Sequence, residues 1–245
     1  MASTLLFLIG GSDGDILDRV ADEFVPAAGG PDAAIALLMI GGDGWQSHVP
    51  QYGKPWASRG ATTHHVIVPG DDGMLDTNAA IRRLEEATGI FIAGGPTAGY
   101  HRLYATEPIR SAIRRRYFEG VPVAGLSAGA MISPDYCLLR PSKHVPTQPF
   151  QIVTGLGLLG DIIVEVHFSE GSGRLPSLLE GMTRTRVSSG LGIDSSACAV
   201  FENGRLARVL GRSVHEVTMT DFEASSYQVR EVRDRGVGGP RAQAR

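Results

Sequence analysis

The segment Gly125-Leu126-Ser127-Ala128-Gly129-Ala130 holds the residues best arranged for chemistry in this sequence. Glycines two before and two after a serine are what a tight strand-to-helix turn demands. The backbone passes close to the residue at the apex, and the N-terminus of the helix behind it favours developing negative charge. The short apolar run Val121-Pro122-Val123-Ala124 supplies the strand, and a run of small residues follows the serine. Ser127 is the nucleophile candidate. In a chain with 32 glycines the pattern alone also suits a plain small-residue turn, so it needs partners.

A serine hydroxyl becomes a useful nucleophile when a base within hydrogen-bond reach takes its proton. Among seven histidines His167 is favoured, because it closes the apolar run Asp161-Ile162-Ile163-Val164-Glu165-Val166. A strand there delivers it to a sheet edge or to the C-terminal rim, where sites in open α/β sheets collect. Beside Phe168 it equally suits a hydrogen-bonded structural role. His64 and His65 precede a strand, and His48, His101, His144 and His215 stand in loop-like or exposed contexts, so these read as surface residues. Acyl transfer also needs rigid donors for the oxyanion. Gly94-Gly95 ends the apolar run from Gly89 to Ala93, so the amide of Gly95 can supply one donor and that of Ala128 the second; the bland reading of the pair is a chain turn.

The elements that must position these groups follow a regular rhythm. Short β-type runs occur at Leu5 to Ile9, Ala34 to Ile40, Val66 to Pro69, Gly89 to Ala93 and Pro122 to Gly125, with helical spacing at Ile16 to Phe24 and Thr77 to Ala87 between them. That alternation predicts a parallel sheet. Thr106 before Glu107-Pro108 suits the cap of a helix running to Glu119. Beyond the serine turn come a turn-rich stretch from Pro134 to Gln148, an apolar stretch from Leu156 to Phe168, a helix around Leu175 to Met182, and strands near Ala197 to Phe201 and Ala207 to Leu210. Residues 1–228 are read as one α/β domain and 229–245, polar and without periodicity, as a mobile tail.

The 245 residues, 42% hydrophobic and 20% charged, have the composition of one globular catalytic-size domain. A net charge of −3 offers no footprint for nucleic acid, and Arg114-Arg115-Arg116 reads as a solvated helix face. Cys137 and Cys198 lack metal-ligand spacing and read as buried thiols in a reducing compartment. Leu5 to Ile9 is too short to span a membrane and has no basic region before it, so a cytoplasmic location without membrane association is expected. Gly10-Gly11 and Gly14 miss dinucleotide-loop spacing because Ile9 occupies the first position. Neither cofactor nor metal is implied; Asp71-Asp72 and His64-His65 read as solvated loop residues. A homodimer is allowed for.

Taken in order, four stretches carry a resemblance to the aspartyl dipeptidase and cyanophycinase family of serine peptidases, covering roughly Leu5 to Leu210. They are Ile9-Gly10-Gly11; Ile90-Phe91-Ile92-Ala93-Gly94-Gly95; Val123 to Ala130 around Ser127; and His167-Phe168-Ser169 followed by Gly173-Arg174-Leu175. Gly190-Leu191-Gly192-Ile193-Asp194 adds a weaker match. The resemblance implies a class I glutamine amidotransferase-like, flavodoxin-like α/β fold with a mostly parallel central sheet flanked by helices. It also implies Ser127 as nucleophile, His167 as base, and Gly95 and Ala128 amides as the oxyanion hole.

Three departures from the family pattern bear on function. The family places an acid after the serine turn to orient the histidine, yet Tyr136 through Gly160 contains no Asp or Glu. Asp135, Asp161, Glu165 and Asp194 are the nearest acids, and a neutral residue such as Gln148 is the alternative. Pro96-Thr97 stands where relatives carry Asn or Gln for substrate, leaving Thr97 as a substrate-contact candidate. Glu165-Val166 replaces Asp-Gln before the histidine, and of an arginine-rich stretch after it Arg174 is left, so Glu165 and Arg174 are further substrate-contact candidates and cyanophycin is not the expected substrate. The expected function is hydrolysis of a short peptide or isopeptide-like amide through an acyl-enzyme. A catalytically impaired binding protein on the same fold is the alternative, and an α/β-hydrolase esterase is disfavoured by the lack of a His-Gly-Gly motif.

Overall fold

A computed structural model describes residues 2–141, 149–170 and 173–234. The first part of the chain runs β1 (Leu5–Ile9), α1 (Ile16–Ala27), β2 (Ala34–Leu38), α2 (Val49–Ala57), β3 (Thr63–Ile67), α3 (Thr77–Glu86), β4 (Gly89–Ile92), α4 (Thr97–Tyr104), α5 (Ile109–Phe118), β5 (Val123–Leu126) and α6 (Ala128–Ile132). There follow β6 (Tyr136–Leu139), β7 (Gln151–Thr154), β8 (Ile163–Val166), α7 (Arg174–Thr185), β9 (Ser189–Ile193), β10 (Ala197–Glu202), β11 (Arg205–Gly211), β12 (Ser213–Asp221) and β13 (Ser226–Arg233).

The protein is a mixed α/β domain around a seven-stranded sheet in the order β11-β10-β1-β5-β4-β2-β3. Strands β1, β5, β4, β2 and β3 are mutually parallel, and β10 and β11 close one side in antiparallel fashion. Burial on both faces explains why β1, β4 and β5 read as unbroken apolar runs rather than alternating ones. Against this sheet α1 buries Ile16, Val20, Ala21, Phe24 and Val25, a stripe at helical spacing. Phe24 meets Phe7 and Phe91 edge-on, and Phe91 meets Trp56 of α2.

A second sheet, β13-β12-β9-β8, has β8 at its edge, parallel to β9. The strand that delivers His167 therefore belongs to a different sheet from the strand that delivers Ser127. Val229 to Arg233, expected from composition to belong to a polar tail, pair in β13 with β12. This is an edge strand with nearly every side chain solvated, so only its backbone bonds mark it as a strand. Residues 235–245 of that expected tail lie outside the described residues.

Two smaller expectations are corrected. Thr106 does not cap α5: its hydroxyl donates to the Arg102 carbonyl, closing α4 instead, and Pro108 precedes the helix. The arginines of α5 are more than a solvated face, since Arg114 donates to the carbonyls of Leu156 and Gly157, and Arg116 to those of Leu84 and Ala87. Both cysteines are free and buried.

The glycines flanking Ser127 are close-approach residues. A Cβ on Gly125 would lie 2.5 Å from the Gly129 carbonyl carbon, and one on Gly129 would lie 2.3 Å from the Ile92 carbonyl oxygen. Helix α6 thus sits directly on β5 and β4, backbone against backbone. Gly129→Ala is expected to cost about 2 kcal/mol, the scale of overpacking in a tight core, through displacement of α6. Urea unfolding with an unchanged slope and a lower midpoint checks it.

Candidate active site

Ser127 stands between β5 and α6 at φ +50° and ψ −102°, a strained conformation held by a bond from its amide to the Ile9 carbonyl at 2.8 Å. The turn projects its hydroxyl from the C-terminal end of a central parallel strand. At the start of α6 the amides of Ala128, Gly129 and Ala130 precede the first bond of that helix, from the Met131 amide to the Ser127 carbonyl at 3.0 Å. The other wall is the loop after β4, where a Cβ on Gly94 would come within 3.3 Å of the Ser127 Cβ. Gly95 follows at φ +153°, backed by the Tyr100 ring, whose hydroxyl donates to the Gly94 carbonyl at 3.1 Å. Thr97 opens α4 two residues on. Beside Gly94 lies a cavity of about 230 Å³ lined by residues including Asp43, Trp45, His48 and Tyr52.

His167 follows the last residue of β8 and also has positive φ, +52°. Its Nε2 lies 2.9 Å from Ser127 Oγ. Nδ1 lies 2.5 Å from Ser195 Oγ. In the tautomer whose Nε2 accepts from the Ser127 hydroxyl, Nδ1 carries the ring proton and donates a hydrogen bond to Ser195 Oγ. Ser195 is buried just past the end of β9. Backbone fixes it there: a Cβ on Gly11 would meet Ser195 Cβ at 2.7 Å, and one on Gly10 would meet the Asp194 carbonyl oxygen at 2.2 Å. Gly10 and Gly11 thus let the segment after β1 pack directly against the backbone of Asp194 and Ser195.

The acids named from sequence lie elsewhere. Asp135 faces Gly157 and Gly160, and Asp161 precedes β8 at the end opposite His167. Asp194 turns outward, where its Oδ1 accepts from the Ser169 amide at 3.2 Å and hydroxyl at 2.6 Å, with His215 Nε2 at 3.3 Å. It therefore clamps the segment after His167 to the segment before Ser195. His215, read from sequence as a surface residue, is in β12 and part of this clamp. Gln148 and His144 lie outside the described residues. Ser195 itself was missed because a serine in a turn carries no charge signal; its proximity to the Gly190-to-Asp194 match was the available clue.

Glu165 is wholly enclosed, which corrects its expected place among groups that touch substrate. Arg174 Nη1 reaches its Oε1 at 3.3 Å. Arg140 Nε pairs with Oε2 at 3.1 Å, and among the described residues neither atom has a hydrogen-bond partner. Burial pushes the Glu165 carboxyl up to about 7, against the pull of Arg140. Two partly exposed guanidiniums share this one carboxylate, so the cluster keeps a positive surplus. Burial likewise lowers the His167 pKa; Glu170 and Asp13 oppose the shift and Arg140 adds to it.

A nucleophile elbow, a histidine in contact with its hydroxyl and glycine-rich backbone on both sides are the parts of a serine hydrolase. The model of peptidase family S51 matches residues 72–209, which contain Ser127, His167 and Ser195. The chain belongs to peptidase family S51. This S51 member is a serine-type peptidase. It is 29% identical over 228 residues to a cyanophycinase of Synechococcus elongatus, covering 91% of this chain and 70% of that protein. It is 28% identical over 226 residues to a cyanophycinase of Geminocystis herdmanii, covering 91% and 82%. A peptidase from an acI-B1 Actinobacterium shares the fold of this S51 chain with a TM-score of 0.67 at 18% identity, over 94% of this chain and 96% of the other. A putative peptidase E protein from Listeria monocytogenes gives a TM-score of 0.57 at 16% identity, over 86% and 98%. Among the described residues, no helix is long and apolar enough to cross a membrane.

Proposed function

We propose that this peptidase hydrolyses a short peptide or isopeptide-like amide bearing an acidic group near the scissile bond, through an acyl-enzyme on Ser127. The 2.9 Å contact between Ser127 Oγ and His167 Nε2 carries the reading. His167 takes the hydroxyl proton as Oγ attacks the carbonyl carbon, then gives it to the departing amine as the C–N bond breaks. Water, deprotonated by the same imidazole, cleaves the acyl ester and frees Ser127. The amides of Gly95 and Ala128 receive the oxyanion, and the α6 N-terminus adds its partial positive charge.

Acidity in the substrate is supported by the positive surplus of Arg140 and Arg174, which Glu165 holds in place. Thr97, next to the oxyanion loop, is a substrate contact in the same reading. The relatives are named cyanophycinases; Glu165 and Val166 are both buried here, so the departure that argues against cyanophycin is the stretch after the histidine, where of the expected arginines Arg174 is left. The test is a panel of short peptides with Asp or Glu at the scissile bond, their Asn or Gln counterparts, and cyanophycin. Higher kcat/KM for the acidic peptides, lost in Arg174→Met, is expected. Equal rates for acid and amide, or faster turnover of cyanophycin, would overturn the substrate assignment.

A further inference from the structure

We propose that two residues divide what one carboxylate does in a Ser-His-acid site: Ser195 orients the His167 ring, and Glu170 supplies the negative charge that faces it. The proposal rests on the reading of His167 as base. A triad acid fixes the histidine's tautomer and steadies the imidazolium that forms in the transition state. A hydroxyl can do the first without the second.

Ser195 Oγ sits 2.5 Å from Nδ1, and its position is stiff: the residue is 3% exposed, Gly11 packs against it, and Asp194 is tied to Ser169. Glu170 ends the short 3-10 turn Phe168–Glu170, and its Oε2 lies 3.7 Å from the same Nδ1. That is too far for a hydrogen bond and close enough for Coulomb attraction. The Glu170 side chain is half exposed, so salt screens its pull. The other charges facing His167 are Asp13 from the loop after β1, which also favours the cation, and Arg140 from the end of β6, which opposes it.

The two duties separate experimentally. The full-length protein with ¹⁵N-labelled histidine is titrated by NMR without substrate, and kcat is measured against pH, for wild type, Ser195→Ala and Glu170→Gln at low and high salt. Ser195→Ala is expected to lower kcat by about 10- to 100-fold and to replace the single Nδ1–H tautomer by a mixture, with little movement of the titration midpoint. Glu170→Gln should keep the tautomer and lower the midpoint by about half a unit, a shift that shrinks in high salt, with kcat reduced by about two- to fivefold. If Ser195→Ala unfolds, Ser195→Cys nearly keeps the volume, weakens the acceptor and carries the same expectation. An unchanged tautomer and kcat without the Ser195 hydroxyl, or an unmoved midpoint in Glu170→Gln, would overturn the division. The titration needs no turnover, so it judges the division separately; failure of wild-type Ser127 to react with a fluorophosphonate would instead remove the base reading.

Discussion

Ser127→Ala is expected to reduce kcat by at least about 10⁴-fold on any hydrolysed substrate while leaving the folded protein intact. The substitution removes one oxygen from a half-buried turn, and the positive φ there is as strained for alanine as for serine. Neighbouring backbone sets the conformation: the amide of residue 127 still bonds the Ile9 carbonyl, and Gly125 still meets Gly129. Stability should change by less than about 1 kcal/mol, as expected where no cavity or buried unpaired group is created. Steady-state kinetics alongside urea unfolding separates the two effects. A variant with near wild-type kcat would remove Ser127 from the mechanism, and one that unfolds would make the turn a structural device.

His167→Ala follows with a loss of similar size, about 10³- to 10⁴-fold, because the hydroxyl then meets its substrate without a proton acceptor. Added imidazole should restore part of the rate by occupying the space between Ser127 and Ser195. The wild-type pH profile carries the same information. Only the neutral ring accepts a proton, so with His167 as the proposed base activity should rise as pH climbs through its pKa. Burial holds that pKa below its usual 6.5, more than Glu170 and Asp13 offset. The rising limb of kcat/KM should therefore have its midpoint below 6.5, and it should vanish in the imidazole-free variant. A midpoint well above 7 would mean that the facing acids outweigh desolvation.

Much of this was legible in the residues themselves. Unbroken apolar runs mark strands buried on both faces, so β1, β2, β4 and β5 were visible, as was α1 with its stripe of Ile16, Val20 and Phe24. The elbow was legible because Gly125 and Gly129 serve a steric need that no larger residue meets. Less visible was whatever depends on distant pairing. Helix α2 contains Pro50 and Pro55, which interrupt the helical spacing, while β13 shows water nearly all its side chains. Ser195 illustrates the limit best. Its role comes from β9 running parallel to β8, which places the residue after one strand beside the residue after the other. Spacing within the chain, 28 residues from His167, holds no trace of that.

The central claim, that His167 activates Ser127, is tested most directly by locating the adduct of a fluorophosphonate by mass spectrometry. The wild-type protein should carry it on the peptide containing Ser127, at a rate that climbs through the His167 titration, and His167→Ala should label far more slowly. Labelling at another residue, or equal rates in the wild type and His167→Ala, would contradict the account.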